Sequence, residues 1–209
     1  MDNNIKTIVN AIGEFLLLAL LILVPPFCVA IDLTTLDNNI GEISLTEFTQ
    51  VVLLLTSILI FSYSAWRYAG SRGFLILVAG FLSCMLVREL DFLFDKIRHG
   101  FWAWPAIGIA IASIFSAQKN RGTVFEPMAA FVNTKPYYHI IFGLLVTLLF
   151  SRIFGSGNLF WQHVVSDYSH LYKSTLQEGL ELFGYLFIAY GSYLFFRHRK
   201  VGNTSHKSN

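Results

Sequence analysis

The chain predicts an all-α polytopic membrane bundle of about six transmembrane helices, with one short amphipathic helix in the outer interface. Three observations carry this. Of the 209 residues, 55% are hydrophobic and 13% are charged, whereas a soluble domain has about 25% charged residues. The apolar residues fall into long runs separated by short polar connections. Runs such as Val51 to Phe61 do not alternate, which excludes a membrane β-barrel. Backbone groups in lipid must be satisfied within each segment, which leaves helices.

The expected spans, in order, are Ile8–Ile31, Glu47–Tyr68, Gly73–Asp91, Phe101–Ala117, Tyr137–Phe154 and Leu176–Arg197. In the first, Phe15 to Val24 resembles a signal-peptide core. Pro25-Pro26 with Cys28-Val29-Ala30 resembles a cleavage region. Lys6 is opposed by Asp2 and Glu14, so the n-region is weakly basic, which favours a retained helix kinked near Pro25-Pro26. The spans and their connections form one membrane domain, residues 1–201, followed by a polar tail, 202–209, expected to be disordered.

Positive charge sets the orientation. The connection from Asp32 to Thr46 has no Lys or Arg and carries Asp32, Asp37 and Glu42. The next carries Arg67 and Arg72. Lys119, Arg121 and Lys135 follow the fourth span, and Arg197, Arg199, Lys200 and Lys207 follow the sixth. The alternation places both termini in the cytoplasm of, by this rule, a bacterial inner membrane. Trp102 and Trp104 fit an outer aromatic belt, and Trp66 an inner one. The net charge of +2 is too small to suggest nucleic acid, and none is expected as a partner. Cys28 and Cys84 lie in apolar runs and read as buried small hydrophobes.

The polar residues that this topology collects on the outer side are the functional candidates, because ionisable groups near lipid are costly. On a helix continuing from the third span, Arg88, Asp91, Asp95 and His99 recur at helical spacing and share one face, with Glu89 turned toward another neighbour. That spacing allows an Arg88–Asp91 ion pair and an Asp95–His99 hydrogen bond. Glu47 and Gln50 open the second span, with Ser44 or Thr46 as its cap. Glu178 and Glu181 open the sixth, behind a Ser174/Gln177 capping box, with Tyr185 and Ser192 on the same face. Before that span, His163, Asp167 and His170 share one face of the segment from Leu159 to Lys173, opposite Trp161, Val164, Val165, Tyr168 and Tyr172. Gly143, Gly184 and Gly191 read as sites of close helix packing. His139 reads as an interhelical histidine.

If the outer ends of the second, third and sixth helices meet, they line one acidic cup. Glu89, Asp91, Glu181 and His99 are then the candidate catalytic groups. Arg88 and Gln50 would hold substrate, Arg88 by gripping an anionic headgroup. Asp91, Asp95, Glu47, Glu178, Glu181, His163 and His170 are the candidate ligands of a divalent metal ion. Multi-pass lipid hydrolases of the alkaline ceramidase type are similar in outline only. They use several intramembrane histidines and seven spans, and none of their residues carries over.

Three functions remain open. The first is an assembly or partner-binding subunit, joined to a membrane partner or a second copy of itself. The second is a metal-dependent enzyme acting on a lipid or lipid-linked substrate. The third is a proton- or cation-coupled transporter or channel, weakened by an almost wholly apolar midplane.

Overall fold

A computed structural model describes residues 3–35, 44–164 and 169–205, which form helices joined by short turns, with no strand among them. Five helices are long and apolar enough to cross a membrane: Asn3–Thr34, Leu45–Arg67, Ala69–Glu89, Lys135–Gly155 and His170–Arg199.

Helix α1 (Asn3–Thr34) runs through Pro25 and Pro26 without ending. Its last turn supplies Asp32, which is fully buried. The carboxylate accepts from the Leu45 and Thr46 amides at 2.7 and 2.9 Å and from the Thr46 hydroxyl at 2.6 Å. These amides belong to the first turn of α2 (Leu45–Arg67), so Asp32 caps a neighbouring helix in addition to the N-cap Ser44, whose Oγ accepts from the Glu47 amide at 3.1 Å. Glu47 in the first turn and Arg67 in the last complement the helix dipole.

After a 3-10 turn (Ala69–Ser71), α3 (Arg72–Glu89) returns across the bundle. The helix expected to continue through His99 stops here. Leu90 leaves the helical region at φ −93°, ψ 20°, and a separate short helix, α4 (Asp91–Asp95), begins behind it. The break rotates Asp91 off the face that carries Arg88, so the expected Arg88–Asp91 pair does not form among the described residues. The Asp95–His99 contact does form, with Nδ1 of His99 2.8 Å from the carboxylate. Gly100, at φ 78°, closes the turn and donates its amide to Asp95 at 2.9 Å.

Helix α5 (Ala103–Lys119) has 17 residues and lies antiparallel to α3. Gly73 faces Asn120 to Val124, Gly80 faces Ser113, and the Cys84 thiol donates to the Ala106 carbonyl at 3.3 Å. A 3-10 turn (Arg121–Thr123) leads into α6 (Phe125–Val132), a short helix where the sequence predicts only a loop.

Helix α7 (Lys135–Leu145) passes through a π-helical turn (Val146–Phe150) into α8 (Ser151–Gly155). A second π turn (Gly157–Trp161) and α9 (Gln162–Val164) follow. The last helix, α10 (His170–Ser205), starts earlier than predicted. The expected interfacial helix is therefore divided: its start is a π turn, its end belongs to α10, and Val165, Asp167 and Tyr168 lie outside the described residues. Ser174 is consequently inside a helix, donating to the His170 carbonyl at 3.0 Å, and forms no capping box. Residues 206–209 of the polar tail also lie outside the described residues.

Helices α7 and α10 cross at their glycines. A Cβ on Gly143 would stand 2.5 Å from the Gly184 carbonyl oxygen, and a Cβ on Gly184 would stand 2.7 Å from that of Gly143. Backbones can approach this closely only where both residues lack side chains. Gly191 lies against the Pro136 carbonyl in the same way, at 2.9 Å. His139 follows the expected pattern, its ring 5.1 Å from that of Tyr190 on α10. The centre of the bundle is apolar, built on Leu54, Phe61, Leu75, Leu82 and Ile188.

The two ends differ. At one, Lys135 meets Glu14 and Arg199 meets Ser71, beside Arg67, Arg72, Lys119 and Arg121. At the other lie the Asp32 cap, the end of α3 and the first turns of the membrane-length part of α10.

Candidate functional site

The polar site lies where the C-terminal turn of α3 meets α10, α8 and α2. A carboxylate is unfavourable at a helix C-terminus, where the dipole is negative. Glu89 sits there and is held by cationic and hydroxyl neighbours. The Arg88 guanidinium contacts Glu89 and also donates to Glu181 at 3.2 Å and to the Tyr185 hydroxyl at 3.4 Å. Tyr185 in turn donates to Glu89 at 2.6 Å. Arg88, Glu89 and Tyr185 thus close a three-membered ring of hydrogen bonds.

Glu181 is the hub. It is 2% exposed, and both of its oxygens are engaged. One accepts from Arg88. The other accepts from Arg152 at 3.1 Å, Gln177 at 3.0 Å and Ser151 at 3.4 Å. Gln177, Glu181 and Tyr185 recur every fourth residue, so helical periodicity alone places them on one face of α10. The π turn before α8 precedes Ser151 and Arg152; such turns often accompany functional positions. Ser151 is fully buried, and its single hydroxyl proton is directed to the Thr147 carbonyl at 2.6 Å, leaving the 3.4 Å approach to Glu181 as the weaker branch.

Glu178, a third of a turn away from Gln177, reaches toward α2. Gln50 donates to its carboxylate at 3.1 Å and to its carbonyl at 3.2 Å. Gln50 is fully buried. The site therefore ties four elements together with three carboxylates and two guanidinium groups. Three polar atoms at its margin are buried with no hydrogen-bond partner among the described residues: Gln50 Oε1, Arg88 Nε and Thr147 Oγ1.

Of the predicted catalytic and substrate-binding residues, Arg88, Glu89, Glu181 and Gln50 gather here. His99 does not, and Asp91 reaches only the edge, interacting with Glu178 through charge and not through a hydrogen bond among the described residues. Asp91 is exposed at the start of α4. His99 is 97% exposed and, among the described residues, bonds to Asp95, in a turn outside the cluster. The Gly100 amide, helped by His99, holds the Asp95 carboxyl below its ordinary value.

The metal expectation fares differently. Among the described residues, no group of three or more His, Cys, Asp or Glu is arranged to hold a metal ion. Glu181 and Glu89 surround Arg88, so a guanidinium stands where a divalent cation was expected. Glu178 is turned to Gln50, and Glu47 lies in the first turn of α2. Asp91 opens α4, near enough to Glu178 to interact through charge but in no ion pair among the described residues, and Asp95 lies further along α4. His163 is exposed in α9, His170 is exposed at the start of α10, and Asp167, their expected companion, lies outside the described residues.

Sequence reasoning missed Arg152, Ser151 and Asp32. Arg152 had a usable signal, being a lone cation inside an expected span. Asp32 read as a loop acid because nothing local distinguishes a cap in another helix from a solvated carboxylate. No protein-family model, curated protein or solved structure matches this chain.

Proposed function

We propose that this is a small integral membrane protein of the bacterial inner membrane, crossing the bilayer six times with both termini in the cytoplasm, and that it acts as an assembly or partner-binding subunit. The sixth crossing in this reading is α5, supported by its antiparallel packing along α3. The orientation is supported by the gathering of Arg67, Arg72, Lys119, Arg121, Lys135 and Arg199 at one end of the bundle.

The observation that carries the functional reading is the internal satisfaction of Glu181, which binds Arg88, Arg152, Gln177 and Ser151. A carboxylate so fully engaged fastens helices together. It leaves α4 and the turn to Gly100 as the projecting outer element, in which Leu93 and Ile97 are 46% and 69% exposed among Asp91, Lys96, Arg98 and His99. Apolar side chains in a charged rim suit a protein partner or a second copy.

A photocrosslinker placed at Ile97 in native membranes tests this. A discrete adduct of defined mass, lost in Leu93→Asp, is expected. A protein that stays uncrosslinked and purifies as a lone monomer would refute the reading.

The unpartnered Gln50 Oε1, Arg88 Nε and Thr147 Oγ1 favour a second reading, in which the site passes protons or binds a cation for transport. Proton flux into liposomes that disappears in Glu181→Gln would support it, and silence under a gradient would remove it.

A further inference from the structure

The basic end of the bundle carries a second, separate site. A cavity of about 590 Å³ opens between α6, the start of α7 and the end of α10. That lies within the roughly 300–1,000 Å³ typical of small-molecule sites. Its walls are chiefly apolar, with Pro127, Phe131, Pro136 and Phe195 among them, and its polar edge is Lys135, His198 and Arg199. Lys135 and His198 also line a neighbouring, more polar cavity of about 780 Å³, together with Arg197 and Glu14.

Arg199 is held in place. Its guanidinium carbon lies 5.1 Å from the Tyr68 ring centre and 4.9 Å from that of Phe195, and one nitrogen donates to Ser71 at 3.0 Å. It has no carboxylate partner among the described residues. Of the residues lining the two cavities, Lys135, Arg197 and Arg199 are cationic and Glu14 alone is acidic, already bound to Lys135 at 3.3 Å. The pair of cavities therefore has excess positive charge beside an apolar recess, at the end of membrane-length helices.

We infer that this recess binds an anionic glycerophospholipid, its phosphate held by Arg199 and Lys135 and an acyl chain lying along Phe131, Pro136 and Phe195. A preset guanidinium suits a phosphate, which accepts two parallel hydrogen bonds. The apolar wall favours an amphiphile over a free anion. Basic pockets between helices on the cytoplasmic side are a recurrent way of holding such headgroups. The inference is independent of the role proposed for the outer site and of any partner there.

The test uses the full chain in a neutral detergent, titrated with phosphatidylglycerol, phosphatidylcholine or inorganic phosphate. Binding is followed by native mass spectrometry and by the melting temperature. Phosphatidylglycerol is expected to remain bound and raise the melting temperature, with the other two having little effect. The double variant Lys135→Gln/Arg199→Gln is expected to weaken retention on the order of thirtyfold, from the usual contribution of two cations at a lipid surface, while the charge-preserving Lys135→Arg keeps it. Equal retention of phosphatidylcholine, equal stabilisation by phosphate alone, or undiminished binding in a folded double variant would each overturn the inference. The wild-type comparison of the three probes decides the matter even if the double variant does not fold.

Discussion

Arg88 and Glu181 stand 93 positions apart and meet at 3.2 Å, the arginine at the end of α3 and the glutamate inside α10. This pair joins two helices that the connectivity separates by the whole of α5 and α7. It also brings Glu89 and Tyr185 into one network with Ser151 and Arg152.

Glu181→Gln keeps the shape of the side chain and removes its charge, leaving two guanidinium groups short of a carboxylate. Losing one partner of a buried pair costs about 3–5 kcal/mol. Arg88 and Arg152 are 25% and 42% exposed, so solvent screening reduces the expected cost to about 2–4 kcal/mol. Thermal melting in detergent should show it. Tyr185→Phe removes one hydroxyl from the ring around Glu89 and should cost less, about 1.5–3 kcal/mol. A Glu181→Gln protein as stable as wild type would show that the hub does not fasten the helices.

Gly184→Ala should destabilise by about 1–3 kcal/mol, because its methyl group would meet the Thr147 side chain and the Gly143 carbonyl. Gly13→Ala, inside α1 where the added carbon meets nothing within 4 Å, is the control and should stabilise by about 0.5–1 kcal/mol through helix propensity alone. Melting curves of the two variants side by side separate packing from backbone propensity.

Asp32→Ala removes the acceptor of two amides and a hydroxyl at the start of α2. A single lost cap costs about 0.5–2 kcal/mol, and burial puts this one at the upper end. The readout is faster hydrogen exchange at the Leu45 and Thr46 amides, with the far end of α2 unaffected. Unchanged protection would mean that Ser44 suffices as the cap.

The turn from Asp95 to Gly100 should respond to acid. The Gly100 amide and His99 favour ionised Asp95, so its folded pKa lies below the ordinary aspartate value. A depressed carboxylate pKa contributes stability at pH above the unfolded value, about 3.9, and loses it as the pH falls through the folded value. Exchange at the Gly100 amide should therefore be slow at neutral pH and accelerate below about pH 4, beyond the intrinsic pH dependence. Asp95→Asn should abolish the step. Because the pair is exposed, the effect is confined to this turn and should leave the melting temperature of the bundle unchanged.

Helical class, the approximate extent of the membrane-length segments and the separation of basic from acidic ends follow from composition and from the placement of Lys and Arg. These are one-dimensional properties, because lipid forces each segment to satisfy its own backbone. Glu181 was identifiable as a carboxylate too deep for a cap, and the Asp95–His99 spacing predicted its own contact. Three outcomes were not legible in the sequence, one a local break and two contacts between separate helices. Leu90 ends α3, so Asp91 faces away from Arg88. Arg152, supplied by α8, joins Arg88 at Glu181, so cations of this chain occupy the place assigned to a metal. Asp32, on α1, caps α2. For Arg152 and Asp32 the partner lies on another helix, and periodicity within one helix carries no information about which face of the next it will meet. The sequence by itself determined that the long apolar segments had to be helical and which polar groups needed partners; the packing of α3, α8 and α2 against α10, with α7 crossing α10 at Gly143 and Gly184, decided which partners they found.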